Sequence, residues 1–182
     1  MGERSFVSRI VSSFLAATVL TVAAASMVAC SKDDGPADGK FTVDFPSVAE
    51  AVSVDKIQVF VFDAQDNPDL CHQLVQGRST GGQFPTEVNK RPVVQLATPV
   101  TFAVCDLVKS PDSVTLPAVT FGDRAVVVVG TSLNQDKLIG CQPVTTGAGD
   151  LDKPIPLSVI GDTDLTHSSC QTLRQHCDGN CS

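Results

Sequence analysis

Seven cysteines and three histidines carry most of the chemistry open to this chain of 182 residues. The cysteines are Cys30, Cys71, Cys105, Cys141, Cys170, Cys177 and Cys181, and the histidines are His72, His167 and His176. A thiol can ligate a metal, exchange electrons, attack an electrophile, or pair with a second thiol where the surroundings are oxidising. No C-x-x-C occurs, so a zinc knuckle, a thioredoxin-like centre and a haem attachment all lack their motif. Cys170, His176, Cys177 and Cys181 have the right donor types for zinc, but outside the cytosol oxidation outcompetes thiolate ligation. The expectation is therefore no metal and no cofactor, with Cys71, Cys105, Cys141, Cys170, Cys177 and Cys181 as disulfide candidates.

Other chemistry is scarce. H-E-x-x-H, G-x-S-x-G, a Walker loop and G-x-G-x-x-G are all absent. His167 stands beside Ser168 and Ser169, and His72 beside Cys71, without a motif that joins either to a nucleophile. The turn holding Asp63, Asp66, Asn67 and Asp69 is dense in oxygens that could bind calcium, yet Pro68 and Leu74 stand where an EF-hand needs Gly and Glu. Asp and Asn also favour turns because their side chains bond nearby backbone. No catalytic residue is predicted.

The seventh cysteine has a different setting. Arg4 and Arg9 precede an apolar run from Ile10 to Ala29, which ends Met27-Val28-Ala29-Cys30. A basic start, an apolar stretch and small residues before a cut site make an export signal. The segment resembles the bacterial lipobox, with Met27 where that family prefers Leu, Val or Ile. The resemblance implies a leader at 1–29, cleaved before Cys30, and a diacylglycerol with a further acyl group such as palmitate on Cys30. It also implies a membrane anchor in the cell envelope, with Ser31 after the cysteine favouring the outer membrane. Two other readings are cleavage after Ala25 and retention of the run, about 20 residues, as a membrane span. Lipidation of Cys30 leaves an even set of six cysteines, whereas either alternative leaves an odd thiol.

Removing 1–29 raises the net negative charge from −7 to about −8, which disfavours nucleic acid and anionic membrane surfaces as partners. There is no Trp and no Tyr, only nine Phe, which weighs against a carbohydrate-stacking platform. Residues 30–39 read as the lipidated cysteine and a polar tether. From Lys40 the apolar residues fall into short Val- and Phe-rich runs separated by Gly, Pro, Asp and Asn. This pattern predicts an all-β fold, an antiparallel β-sandwich over 40–160. Strands are expected near 40–45, 56–63, 70–76, 93–97, 100–107, 113–120, 124–130, 138–144 and 154–160, with loops at 77–92 and 147–153 and a possible short helix within 47–55. The strands at 56–63 and 124–130 are apolar on both faces, so both faces need cover. Asp123 and Arg124 read as charged gatekeepers against edge pairing.

Residues 161–182 form a cysteine-rich tail. Ser168 and Gln171 match a capping box, and 170–177 is expected to be helical, with Cys170, Leu173 and Cys177 on the face turned to the body. Cys170 and Cys177 on one helix stand ~10.5 Å apart along its axis, too far to pair. The expected set is Cys177–Cys181 in the tail, one pair within the body, and Cys170 bridged to the body. The body resembles the immunoglobulin-like or transthyretin-like sandwiches of envelope lipoproteins. The expected function is a lipid-anchored binding or scaffolding module, with the membrane and an envelope protein as partners. The alternatives are an envelope hydrolase whose site is dispersed in sequence and a passive structural lipoprotein.

Overall fold

The computed structural model describes residues 41–64, 66–146, 154–161 and 169–181. The leader, Cys30, the tether at 31–39, the loop at 147–153 and His167 lie outside the described residues.

Two long apolar strands dictate the rest. Strand β2 (Lys56–Asp63) pairs with β6 (Gly122–Ser132), which pairs with β7 (Gln135–Thr146), all antiparallel. Strand β5 (Val100–Ala103) flanks β2, and β9 (Ser158–Val159) flanks β7, giving one five-stranded sheet in the order β5-β2-β6-β7-β9. Two ribbons add to it: β1 (Val43–Asp44) runs parallel with β8 (Ile155–Pro156), and β3 (Glu87–Val88) pairs with β4 (Arg91–Pro92). The β6–β7 hairpin turns on Leu133 and Asn134, both at positive φ (51° and 62°), the backbone of a two-residue turn whose twist matches the strands.

The register sorts the side chains. Val59 faces Val128 and Val61 faces Val126, while Phe60 faces Val127 and Phe62 faces Ala125. Side chains alternate along a strand, so the sheet carries two apolar faces. One buries Ile57, Val59, Val61, Val126, Val128 and Leu138; the other buries Phe60, Phe62, Ala125, Val127, Val129 and Ile139. Each such side chain contributes about 1.5–3 kcal/mol when fully buried. Both faces need cover, as the sequence requires, and both have it.

The second face is covered by a helix where a strand was expected. Residues 70–76 belong to α2 (Leu70–Gly81), which packs Leu70 and Leu74 onto the Phe60–Phe62 face. The helix ends at Gly82 in the left-handed region (φ 68°), whose N–H donates to the Arg78 carbonyl. The expected loop at 77–92 is thus the end of α2 followed by the β3–β4 hairpin.

The first face is covered by the β1–β8 ribbon and by irregular chain. Phe41, Val104, Val114, Leu116, Val119, Ile155 and Leu157 all pack there. Three expected strands are corrected. Residues 93–97 make a single bridge, Gln95 to Phe62. The expected strand at 113–120 begins in a 3-10 turn, Pro111–Ser113, and continues as extended coil, and 100–107 leaves β5 to form α3 (Asp106–Lys109). The antiparallel, β-rich class therefore holds, with one main sheet layered between a helix and a ribbon with coil. The possible early helix is present as α1 (Val48–Val52), where Ser47 Oγ accepts from the Glu50 N–H at 3.3 Å.

In the tail, α4 spans Leu173–Cys177. Its cap is Thr172, whose hydroxyl accepts from the Gln175 N–H at 3.2 Å; Ser168, the expected cap, lies outside the described residues. Two consecutive Ser/Thr-x-x-Gln patterns stand here, at 168–171 and 172–175, and the later one caps the helix. Leu173 packs against the first face, so the tail supplies a small part of the cover.

Candidate functional site

The described cysteines form three disulfides: Cys71–Cys141, Cys105–Cys177 and Cys170–Cys181. One lies within the body, one joins tail to body and one closes the tail, as expected in kind. The tail assignment is corrected: Cys177, not Cys170, reaches the body, and Cys181 pairs with Cys170. The short α4 explains the exchange. Cys170 lies before the helix and is free to fold back to Cys181, while Cys177 in its last turn faces Cys105 beside α3. Cys71 in the first turn of α2 and Cys141 on β7 clamp the covering helix to the sheet. With their sulfurs in bridges, Cys170, Cys177 and Cys181 are not thiolate donors for zinc beside His176.

In the oxygen-rich turn before α2, the Asp63 carboxylate and the Asn67 amide oxygen are engaged in structure. Asp63 Oδ1 accepts from Arg124 Nη1 at 3.1 Å, and Asn67 Oδ1 accepts from the Asp69 N–H at 3.2 Å. No group of three His, Cys, Asp or Glu side chains among the described residues is placed to hold a metal ion. His72 is exposed on α2, and His176 lies within α4.

Arg124 is the residue that sequence reasoning misjudged. Its strand, β6, is central in the sheet, so it guards no edge, and the residue is only 8% exposed. Its Nη2 donates to the Thr120 carbonyl at 3.0 Å and the Phe121 carbonyl at 2.8 Å, and its Nη1 to the Asp123 carbonyl at 2.8 Å. Thr146 Oγ1 closes the same turn by donating to the Thr120 and Gly122 carbonyls at 3.1 and 3.0 Å. A fork of five donors on a planar cation suits such a cage of carbonyls better than any other side chain. A signal was available: a lone Arg entering a run of valines must find partners if it is buried.

Around this cage the sheet end opens into a cleft of about 350 Å³. The β2–α2 connection supplies Ala64, Asn67 and Pro68, β6 supplies Asp123 and Arg124, and β7 supplies Pro143 and Thr145. Thr145 Oγ1 donates to Asp123 Oδ1 at 2.7 Å. The lining holds no cysteine or histidine, and its one hydroxyl–carboxylate pair is Thr145 with Asp123. Arg124 spends its donors on the cage and shapes the wall. The cleft can seat a ligand or a protein loop against proline rings with the Asp66 and Asp123 carboxylates beside them. Beyond Ile139, no described strand pairs with the outer edge of β7, and Pro143 blunts that edge against strand addition.

Among the described residues no helix is long and apolar enough to cross a membrane. Comparison with protein-family models, with curated proteins and with solved structures finds no match.

Proposed function

We propose that this chain is an exported, lipid-anchored module of the cell envelope that acts by binding or scaffolding. The observation that carries the reading is the cysteine pairing. Six of the seven cysteines join in three bridges, which fits an oxidising compartment. Cys30 is the one left over, and it stands where an export leader ends in the order of a lipobox. An unpaired thiol outside the cytosol is a liability, whereas an acylated one is an anchor. Two or three acyl chains hold a protein stably at a bilayer, where one holds it only marginally. The binding role is supported by the cleft at the sheet end, whose lining offers shape and hydrogen bonds. In the same reading the sheet and the β1–β8 ribbon form a reduced sandwich that presents this cleft.

Intact mass of the membrane-extracted protein, before and after reduction, tests the reading. The expected species starts at Cys30, carries the mass of a diacylglycerol and a further acyl group, and gains the mass of six hydrogens, two per bridge, on full reduction. A species that retains residues 1–29, or one without acyl mass, overturns it.

A further inference from the structure

We infer that the Cys105–Cys177 bridge is a thiol-exchange site, opened by a dithiol reductant, and that its opening releases the C-terminal tail from an apolar cavity it helps to enclose. The three bridges sit in unequal settings. Cys71–Cys141 joins α2 to β7, and these elements bury Leu70, Leu74 and Ile139 around it. Cys105–Cys177 joins the start of α3 to the last turn of α4. Those helices have 4 and 5 residues, and no residue of either is buried. Cys170–Cys181 closes the tail on itself, with Cys170 only 9% exposed.

Linkage decides which bridge yields. A fold stabilises a bridge by as much as the bridge stabilises the fold, because the fold keeps the two thiols together once they are reduced. Cys71, Cys141, Cys105 and Cys177 are all half-buried, so hold rather than access separates the first pair from the second. Around Cys71 and Cys141 the hold is packed apolar surface. Around Cys105 and Cys177 it is the half-buried Leu173 on the first face and Arg174 Nη2 donating to the Val108 carbonyl at 3.3 Å. Helices this short do not persist in water without packing. The thiols of Cys170 and Cys181 are only 11 residues apart, so a short loop keeps them close and favours re-closure.

The exchange balances with one dithiol. Its thiolate attacks a bridge sulfur, the S–S bond breaks and a mixed disulfide forms. The reagent's second thiol then displaces the remaining protein sulfur. The reagent leaves as a disulfide, and its two electrons and two protons stand on the Cys105 and Cys177 thiols. Without the bond, nothing covalent fixes Leu173 against the cavity of about 260 Å³ that it lines with Phe41, Phe45, Leu107 and Val114. Tail release uncovers that apolar wall, and re-oxidation closes it again. Lipidation of Cys30 is not needed for any of these steps.

Full-length, oxidised protein is held in graded dithiothreitol without denaturant, trapped with N-ethylmaleimide and mapped by peptide mass. Cys105 and Cys177 are expected to label first, at about tenfold less reductant than Cys71 and Cys141. At that point the amides of 173–177 lose their protection from hydrogen exchange, those of β2 and β6 keep theirs, and the fluorescence of anilinonaphthalene sulfonate rises. Labelling of Cys71 and Cys141, or of Cys170 and Cys181, at the same or lower reductant overturns the exchange site. Protection of 173–177 that survives the opening, or fluorescence that stays flat, overturns the release of the tail. Loss of protection in β2 and β6 at the same point makes the bridge a clamp on the whole fold and overturns the inference as well.

Discussion

The carbonyl of Pro156 occupies the space that a side chain at Gly140 would need. The β8 segment crosses β7 there, and Leu157 Cδ2 would stand 2.9 Å from an added Cβ. The obstacle is backbone, so it cannot rotate aside. Gly140→Ala should lift β8 from the sheet and destabilise the fold by about 2 kcal/mol or more, the cost of an overpacked core site. Gly81 is the contrast. It lies in the last turn of α2 with open space where a Cβ would go. Gly81→Ala should stabilise by up to about 1 kcal/mol. Chemical denaturation of both variants checks the pair, and a Gly140→Ala protein as stable as the parent would refute the crossing.

The bridges should differ in worth. Cys71–Cys141 joins residues 70 apart in sequence, and Cys170–Cys181 residues 11 apart. Restricting a longer loop removes more entropy from the unfolded chain. Replacing both cysteines by Ala should therefore cost about 1.5 kcal/mol more for Cys71–Cys141 than for Cys170–Cys181. Peptide mapping without reduction should recover Cys105 linked to Cys177, and recovery of Cys177 linked to Cys181 would contradict the tail geometry. Equal stability losses for the two pairs would show that loop length does not govern them.

Much of the sheet is legible in the sequence, because strands buried on both faces announce themselves as unbroken Val and Phe. The helix that covers them was legible too. Leu70, Cys71, Leu74 and Val75 recur at helical spacing, and Gly82 follows the end of the pattern. A short apolar run bounded by turn residues reads equally well as a strand, and that ambiguity placed 70–76 in the wrong class. Arg124 misleads for another reason. Charge at the end of an apolar run looks like a solvated edge until the pairing order is known, and strand order is set by contacts distant in sequence. The coil over 114–119 carries no period at all. Its burial depends on the sheet it covers, so nothing local could mark it. The cleft is built from three such distant segments and has no motif to find.

Arg124 holds the Thr120–Gly122 turn more by its carbonyls than by its ion pair. Asp63 is 34% exposed on its side chain, so water and salt weaken that pair. Arg124→Ala leaves the Phe121 carbonyl without its donor and the Thr120 and Asp123 carbonyls with only Thr146 Oγ1 and the Ala64 N–H, and should cost about 1–3 kcal/mol. Arg124→Lys should restore less than half of this, since one ammonium cannot span the cage. Asp63→Asn should cost under about 1 kcal/mol. Urea melts at low and high salt test the ranking, and the Arg124→Ala loss should be nearly independent of salt. A loss for Asp63→Asn equal to that for Arg124→Ala would reverse the assignment.

Leu133 sits at the tip of the β6–β7 hairpin, 89% exposed and at φ 51°. The left-handed region is costly for a bulky side chain, and a side chain in water gives nothing back. Asn tolerates that backbone because its short amide bonds locally. Leu133→Asn should therefore stabilise the hairpin by about 1 kcal/mol, and Leu133→Val, branched at Cβ, should destabilise it. The register argues for the same outcome. Ser132 pairs with Gln135 across the turn, so the two central residues alone carry the reversal and no longer loop can absorb the strain. Thermal midpoints rank the variants against the parent. If Leu133→Asn melts below the parent, the leucine makes a stabilising contact that outweighs its backbone strain. If it melts above, the exposed leucine is held at a cost to the fold.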